Sequence, residues 1–284
     1  MTVSFFTNLI HHHQVPVADE FYRLLGDNYT YVTSEEMPQF LIDGGYSDYS
    51  ERAYLLKAND SSDNFQRALQ LAIDSDVVIV GGISDVFVKE RLKTDKLTFR
   101  YCERLFKIID YHLLSPKGWY YHYLNHTRYR NRNVFMLCSG GYTANDTSRL
   151  LAYPGKKYKW GYFTAVEDLN IKEVLLGKSQ ERIEIVWTAR FLGWKRPEFA
   201  VKLAQFLKLE GYHFHLNMVG SGVKFQEIKE LVEKLNLDDC ITLVGNLPNK
   251  QVRNLMLKAN IFIFTSNREE GWGAVLNEAM SCGC

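Results

Sequence analysis

Residues 183–197 read Ile183-Glu184-Ile185-Val186-Trp187-Thr188-Ala189-Arg190-Phe191-Leu192-Gly193-Trp194-Lys195-Arg196-Pro197, and their order decides the fold class. The first five are β-branched or aromatic apart from one acid, which predicts a buried strand. A polar turn with Gly193 follows, and Pro197, whose fixed φ suits a first helical position, opens a helix. Phe199, Leu203, Phe206 and Leu207 fall on one side of that helix and are expected to be its buried face, with Gly211 ending it. Strand, turn and helix are half of a βαβ unit.

The same alternation extends in both directions. Downstream, strands are expected at 214–219, 241–244 and 261–264. Helices are expected over 225–235, with Phe225, Ile228, Leu231, Val232 and Leu235 on one face, over 250–257, and from about Ala274. Upstream, strands at 3–7, 29–33, 77–80, 97–101 and 134–138 alternate with helices near 18–25, 64–73, 86–92, 103–114 and 119–129. Alternation of this kind specifies an α/β protein with parallel sheets. Residues 34–60, rich in Tyr, Ser, Asp and Gly, read as a long irregular excursion, a kind of segment that often carries function.

A chain of 284 residues exceeds what one core usually serves. Two tandem Rossmann-like domains are expected, residues 1–160 and 161–284, with the boundary in the Pro, Gly, Lys and aromatic-rich stretch 153–178. After Ser281-Cys282-Gly283 an α/β pattern would turn into another strand, so the second domain reads as truncated at its C-terminus.

Hydrophobic residues at 46%, charged at 24% and aromatic at 14% exclude a disordered, collagen-like or coiled-coil chain. Lys and Arg number 34 against 33 Asp and Glu, a formal charge of +1, so no global field would hold nucleic acid or an anionic membrane. The longest apolar runs, 77–80 and 261–264, are far shorter than a bilayer span. Residues 1–10 carry no Lys or Arg, which argues against a leader, and a cytoplasmic location is the expectation. Five scattered cysteines show neither a disulfide framework nor zinc spacing, and no metal is expected.

In open α/β sheets ligands collect beyond the carboxyl ends of the strands. After 261–264 come Glu270, Gly271, Trp272 and Gly273, with Glu278 on the second turn of the helix that follows. Glycines there let a ligand approach the backbone, and the helix start faces an anion. A carboxylate on either side suits hydroxyl-bearing groups flanking a phosphate. Arg190 and Lys195, at another strand end and just before a helix, would stabilise a diphosphate and its charge as it leaves. Gly220-Ser221-Gly222 is a further close-approach turn. It is not a dinucleotide fingerprint, because Phe225 stands where the third glycine belongs and Asn246, not an acid, follows the next strand. No Walker loop and no H-E-x-x-H is present.

At these residues the chain resembles glycosyltransferase family 4, retaining enzymes of the GT-B fold. The resemblance is carried by Glu270-Gly271-Trp272-Gly273-x-x-x-x-Glu278-Ala279-Met280-x-x-Gly283, by the segment from Arg190 to Lys195, by the turn 219–222 and by Val244-Gly245-Asn246-Leu247. It is strong over 183–284 and diffuse before. It implies that Glu270 contacts donor-sugar hydroxyls, that Glu278 binds the ribose, that Arg190 and Lys195 hold the diphosphate, and that Gly245, Asn246 and Leu247 lie near the base. Gly220, Gly222, Gly271, Trp272 and Gly273 complete the expected donor site.

The family usually has a glycine-rich loop after its first strand. This chain has Asn8-Leu9-Ile10-His11-His12-His13-Gln14 instead. Imidazoles of His12 and His13 would meet phosphate or acceptor hydroxyls, and Glu103 would face the acceptor; solvated histidines and a helix-capping Glu103–Arg104 pair are the plainer readings. Residues 117–132 carry four cations, no acid, and Trp119, Tyr120, Tyr121, Tyr123 and Tyr129, which suits a membrane interface holding a lipid-linked acceptor, a protein partner, or simply a surface helix.

The expected function is transfer of a sugar from a nucleotide-diphosphate sugar to a saccharide or lipid-linked acceptor, with retention and without cofactor or metal. The resemblance suggests a role in cell-envelope polysaccharide synthesis. A paired-carboxylate glycosidase fits less well, because its acids would flank one glycosidic bond rather than a helix-start anion site. A nicotinamide-dependent oxidoreductase and a non-catalytic subunit sharing the fold are the alternatives.

Overall fold

The computed structural model describes residues 1–43, 46–107, 115–166 and 168–284. They form two units, one of Met1–Met37 and Ser47–Phe163, the other of Pro38–Tyr46 and Thr164–Cys284.

The first unit is a seven-stranded sheet whose described pairings are all parallel. Its strands are β1 (Val3–Thr7), β2 (Tyr29–Thr33), β3 (Leu55–Lys57), β4 (Val77–Val80), β5 (Leu97–Cys102), β6 (Val134–Ser139) and β7 (Lys157–Trp160), in the order β3-β2-β1-β4-β5-β6-β7. Every residue of β1 is buried because helices cover both faces. Val3 and Phe5 join Tyr29, Tyr31 and Ile79 under α1 (Val15–Leu25), whose Val15 and Ala18 are buried. Phe6 turns to the opposite face with Val32, Val78 and Val80, under Ala68 and Ala72 of α3 (Ser62–Asp74) and Phe87 of α4 (Asp85–Lys93). Ser61 caps α3 by accepting from Asn64 N–H at 3.0 Å. Arg91 is a buried staple at the amino ends of β4 and β5: its guanidinium donates to the Thr98 hydroxyl and to the carbonyls of Ala72, Ser75, Asp76 and Leu97.

Three expectations change here. The excursion 34–60 contains α2 (Gln39–Asp43) and the short strand β3. The helix expected over 103–114 is absent from its described part, 103–107, where the buried Asp146 carboxylate takes the N–H groups of Leu105 and Phe106 at 2.9 and 3.2 Å; residues 108–114 lie outside the described ones. The helix expected at 119–129 is α5 (Pro116–Asn125), started by Ser115 accepting from Gly118 N–H and by Pro116. Among the described residues this unit also has α6 (Thr143–Arg149).

In the second unit α7 (Ile171–Leu176) precedes a four-stranded parallel sheet. Its strands are β8 (Ile183–Thr188), β9 (Phe214–Val219), β10 (Ile241–Gly245) and β11 (Ile261–Ile263), ordered β10-β9-β8-β11. On one face Ile185, Trp187, Leu216 and Met218 pack under α8 (Pro197–Leu209) and α9 (Phe225–Lys234). On the other, Val186 and Val219 pack under α10 (Asn249–Lys258) and α11 (Ala274–Ser281).

The buried side of α8 is not the one its large side chains suggest. Ala200, Val201 and Ala204 face the sheet, while Phe199, Leu203 and Phe206 are exposed and Leu207 is only partly buried. Trp187 and Phe191, both wholly buried, already fill the volume beneath the helix, so only small residues fit between.

Candidate functional site

In the second sheet the chain runs from β8 to β9 on one side and reaches β11 on the other. The carboxyl ends of β8 and β11 therefore form the topological switch point, the position where such sheets bind ligands. The loops leaving these two strands are tied together there. Trp187 Nε1 donates to the Thr265 hydroxyl at 2.8 Å, Thr265 donates to the Lys195 carbonyl at 2.6 Å, and Asn267 N–H donates to the Trp194 carbonyl at 2.9 Å. The result is that Lys195 Nζ, on the β8 loop, forms an ion pair with the Glu270 carboxylate on the β11 loop, and both side chains are mostly shielded from solvent. Trp194 lies under the same ammonium, 4.1 Å from ring centre to Nζ.

Glu278 is buried, at 7% exposure, on the second turn of α11. Arg190 and Glu278 share a neighbour in Tyr46: burial and the Glu278 charge push its hydroxyl above the ordinary tyrosine range, and Arg190 pulls it back. Tyr46 comes from the 34–60 excursion and belongs to the second unit. Sequence reasoning missed it; the only signal was the length and composition of the excursion.

The glycines of this region do distinct jobs. Gly273, at φ 79°, caps α11, and a Cβ there would lie 2.7 Å from the Phe264 ring. A Cβ at Gly220 would lie 2.1 Å from the Ala189 carbonyl, and one at Gly222 would lie 2.6 Å from the Phe191 carbonyl. Both let the β9 turn lie against the β8 loop, where Phe191 N–H donates to the Ser221 carbonyl at 2.8 Å. Gly245, at φ 77°, ends β10 at a register shift and accepts from Gly220 N–H, with Asn246 and Leu247 next in the chain. Gly271 and Trp272 sit between Glu270 and the α11 cap, both partly buried. Cations, backbone turns and a helix start make this a donor set for an anion, and the two carboxylates suit hydroxyl groups beside it.

In the first unit the switch point lies between β1 and β4. The turn after β1 holds His11, His12 and His13. His13 N–H approaches His11 Nδ1 at 3.3 Å, the His12 and His13 rings lie 3.9 Å apart, and His13 O accepts from Phe163 N–H. Tyr162 brings the expected Glu103 to this turn: its hydroxyl donates to Glu103 Oε1 at 2.8 Å and its ring lies 6.0 Å from that of His13. Glu103 pairs with Lys107. Arg104 lies over the Tyr142 ring and 3.9 Å from Asp146.

Two parallel α/β units, each with a polar switch point, match the GT-B class of glycosyltransferase fold. Aligned structures agree: a complex of HepE from Anabaena with UDP superposes with a TM-score of 0.68 over 100% of this chain and 79% of that one, at 12% identity. The lipopolysaccharide outer core galactosyltransferase WaaB, without ligand, gives 0.64 over the same shares at 12% identity.

Residues 171–284, which lie in the second unit, match the family model described as Glycosyl transferases group 1. Among curated relatives, the amylovoran biosynthesis glycosyltransferase AmsK of Erwinia amylovora is 28% identical over 122 residues, 41% of this chain and 30% of its own length. The matched stretch thus spans under a third of that relative.

Proposed function

We propose that the protein transfers a sugar from a nucleotide-diphosphate sugar to a saccharide or lipid-linked acceptor, with retention of configuration and with no metal required. The observation that carries this reading is the shielded Lys195–Glu270 pair at the second switch point, with Glu278 buried on the helix that starts beside it. In the proposed reaction the bond between the sugar's anomeric carbon and the diphosphate oxygen breaks. Arg190, Lys195 and the start of α11 take up the charge on the leaving diphosphate. Glu270 holds sugar hydroxyls and Glu278 the ribose. The acceptor oxygen attacks on the face the diphosphate leaves, and its proton passes to a diphosphate oxygen. The family resemblance of Glu270 through Gly283 supports retention; the cationic donor set supports metal independence.

UDP is the nucleotide bound in the HepE structure, which makes UDP-sugars the first donors to try. On the acceptor side, α5 buries only Gly118 and His122 and exposes Trp119, Tyr120, Tyr121 and Tyr123 beside Lys117, Arg128, Arg130 and Arg132. That surface suits contact with a membrane carrying a lipid-linked acceptor, although no helix among the described residues is long and apolar enough to cross one.

Release of nucleoside diphosphate from UDP-, GDP- and ADP-sugars, with and without chelator, tests the reading. One donor should turn over in chelator, and Lys195→Ala should slow it by about 100-fold, the usual loss on removing one stabiliser of a developing anion. No release from any donor, or an unchanged rate in Lys195→Ala, would contradict the assignment; dependence on added metal would remove the metal-free part of it.

A further inference from the structure

The first switch point contains a directional hydrogen-bond chain. Thr7, the last residue of β1, has its hydroxyl 3.0 Å from the Tyr31 hydroxyl. Tyr31 donates to Gln14 Oε1 at 2.8 Å, and Gln14 Nε2 donates to the Tyr101 hydroxyl at 2.8 Å. Tyr31 and Gln14 are buried, and Gln14 directly follows the histidine turn. An amide has one accepting and one donating end. With Oε1 committed to Tyr31, Gln14 can only donate to Tyr101, so the Tyr101 hydroxyl is an acceptor on that side. Its own hydrogen must then point elsewhere, and no acceptor for it is found among the described residues.

A second feature shows that the placement of this ring is built in. Tyr101 stands on β5, yet its ring reaches across the end of β4 toward β1. It can do so because residue 81 is glycine: a Cβ there would fall 2.3 Å from the Tyr101 ring carbons and 2.6 Å from its oxygen. Phe5 supports the ring edge-on at 5.7 Å. Gly81 in turn is fixed by donating its N–H to the Phe6 carbonyl at 2.9 Å. Burial and the nearby Glu103 charge raise the Tyr101 hydroxyl's pKa, which keeps its proton in place at physiological pH.

We propose that Tyr101 is a ligand-binding residue of the first unit, donating its hydroxyl hydrogen to a phosphate or sugar oxygen at the β1/β4 switch point, and that Gln14 is the positioning residue that aims it. The shared ligand chemistry is an oxygen lone pair. Only the ligand's place in catalysis rests on the transfer reading above; the donor geometry does not.

The test uses the whole chain labelled with [13Cζ]tyrosine, the Tyr101 signal being assigned by its absence in Tyr101→Phe. Inorganic phosphate and methyl glucoside are titrated separately, and the arm that moves the signal identifies the source of the oxygen. Gln14→Glu is the decisive variant: nearly isosteric, its carboxylate accepts from both tyrosines, so the Tyr101 hydrogen turns inward and the response should vanish while the other tyrosine signals stay. Should that variant fail to fold, Tyr101→Phe serves alone, with ligand affinity expected to weaken roughly five- to tenfold, the worth of one hydrogen bond. A Tyr101 signal unmoved by both probes, a response that persists in a folded Gln14→Glu, or unchanged affinity in Tyr101→Phe would overturn the proposal. Titrating UDP in the same samples separates the two readings: UDP bound with Tyr101 silent refutes this inference alone, and a Tyr101 response without nucleotide binding counts against the transfer reading alone.

Discussion

His11 shows how one residue can be read chemically once its partners are known. Its Nδ1 faces the His13 N–H, which puts the ring proton on Nε2. Burial, with the charges of His13 and His12 adding to it, lowers its pKa from 6.5 to about 3. The folded state thus resists protonating a group that the unfolded chain protonates near pH 6.5. Stability from this group is complete above that pH and is lost as the pH falls toward 3, by up to about 1.4 kcal/mol per pH unit. Urea denaturation at about pH 7 and about pH 4.5 should show wild type losing more stability than His11→Gln; equal losses would mean that His11 titrates normally. At this scale the candidate site, though not its role, was partly legible. Glu270, Glu278, Arg190 and Lys195 stand out because charged residues beside glycines at strand ends are chemically specific. Tyr46, Tyr162 and Tyr101 do not, because one tyrosine among 17 carries no local signal and only the tertiary fold brings each to its partners.

At the scale of elements, α8 separates what periodicity can tell from what it cannot. Both the Phe199, Leu203, Phe206 set and the Ala200, Val201, Ala204 set repeat at helical spacing, and size favours the first. The structure buries the second, because the space above Trp187 and Phe191 is too shallow for more. Ala204→Leu is therefore expected to overpack and cost about 1–3 kcal/mol, while Phe206→Ser, on the exposed side, should change stability by less than about 0.5 kcal/mol. Thermal melts of the two variants check this, and the reverse ranking would mean that α8 is rotated. The strands 3–7, 29–33 and 77–80 were readable in full because they are dense in β-branched and aromatic residues. β3 is three residues long and β7, Lys-Tyr-Lys-Trp, is an edge strand with charged and exposed positions, so neither rises above loop composition. The expected helix at 103–107 fails for a reason invisible locally: its backbone donors are claimed by Asp146, some forty residues away.

For the whole molecule, the near-zero net charge means that any anion must be recognised at a site and not by a general field. The second switch point is the candidate for that site, built from two loops that each carry one member of the Lys195–Glu270 pair. The GT-B class was legible because alternation of strand and helix survives in the sequence even where individual boundaries do not. In the proposed function, Glu278 and its neighbours bind a nucleoside diphosphate. Ligand-observed NMR titration of UDP, GDP, ADP and NAD against the protein and its Glu278→Ala variant measures this directly. Selective binding of one diphosphate, weakened in Glu278→Ala, is expected; tight NAD binding without diphosphate preference, or diphosphate binding that the variant leaves unchanged, would overturn the proposed function.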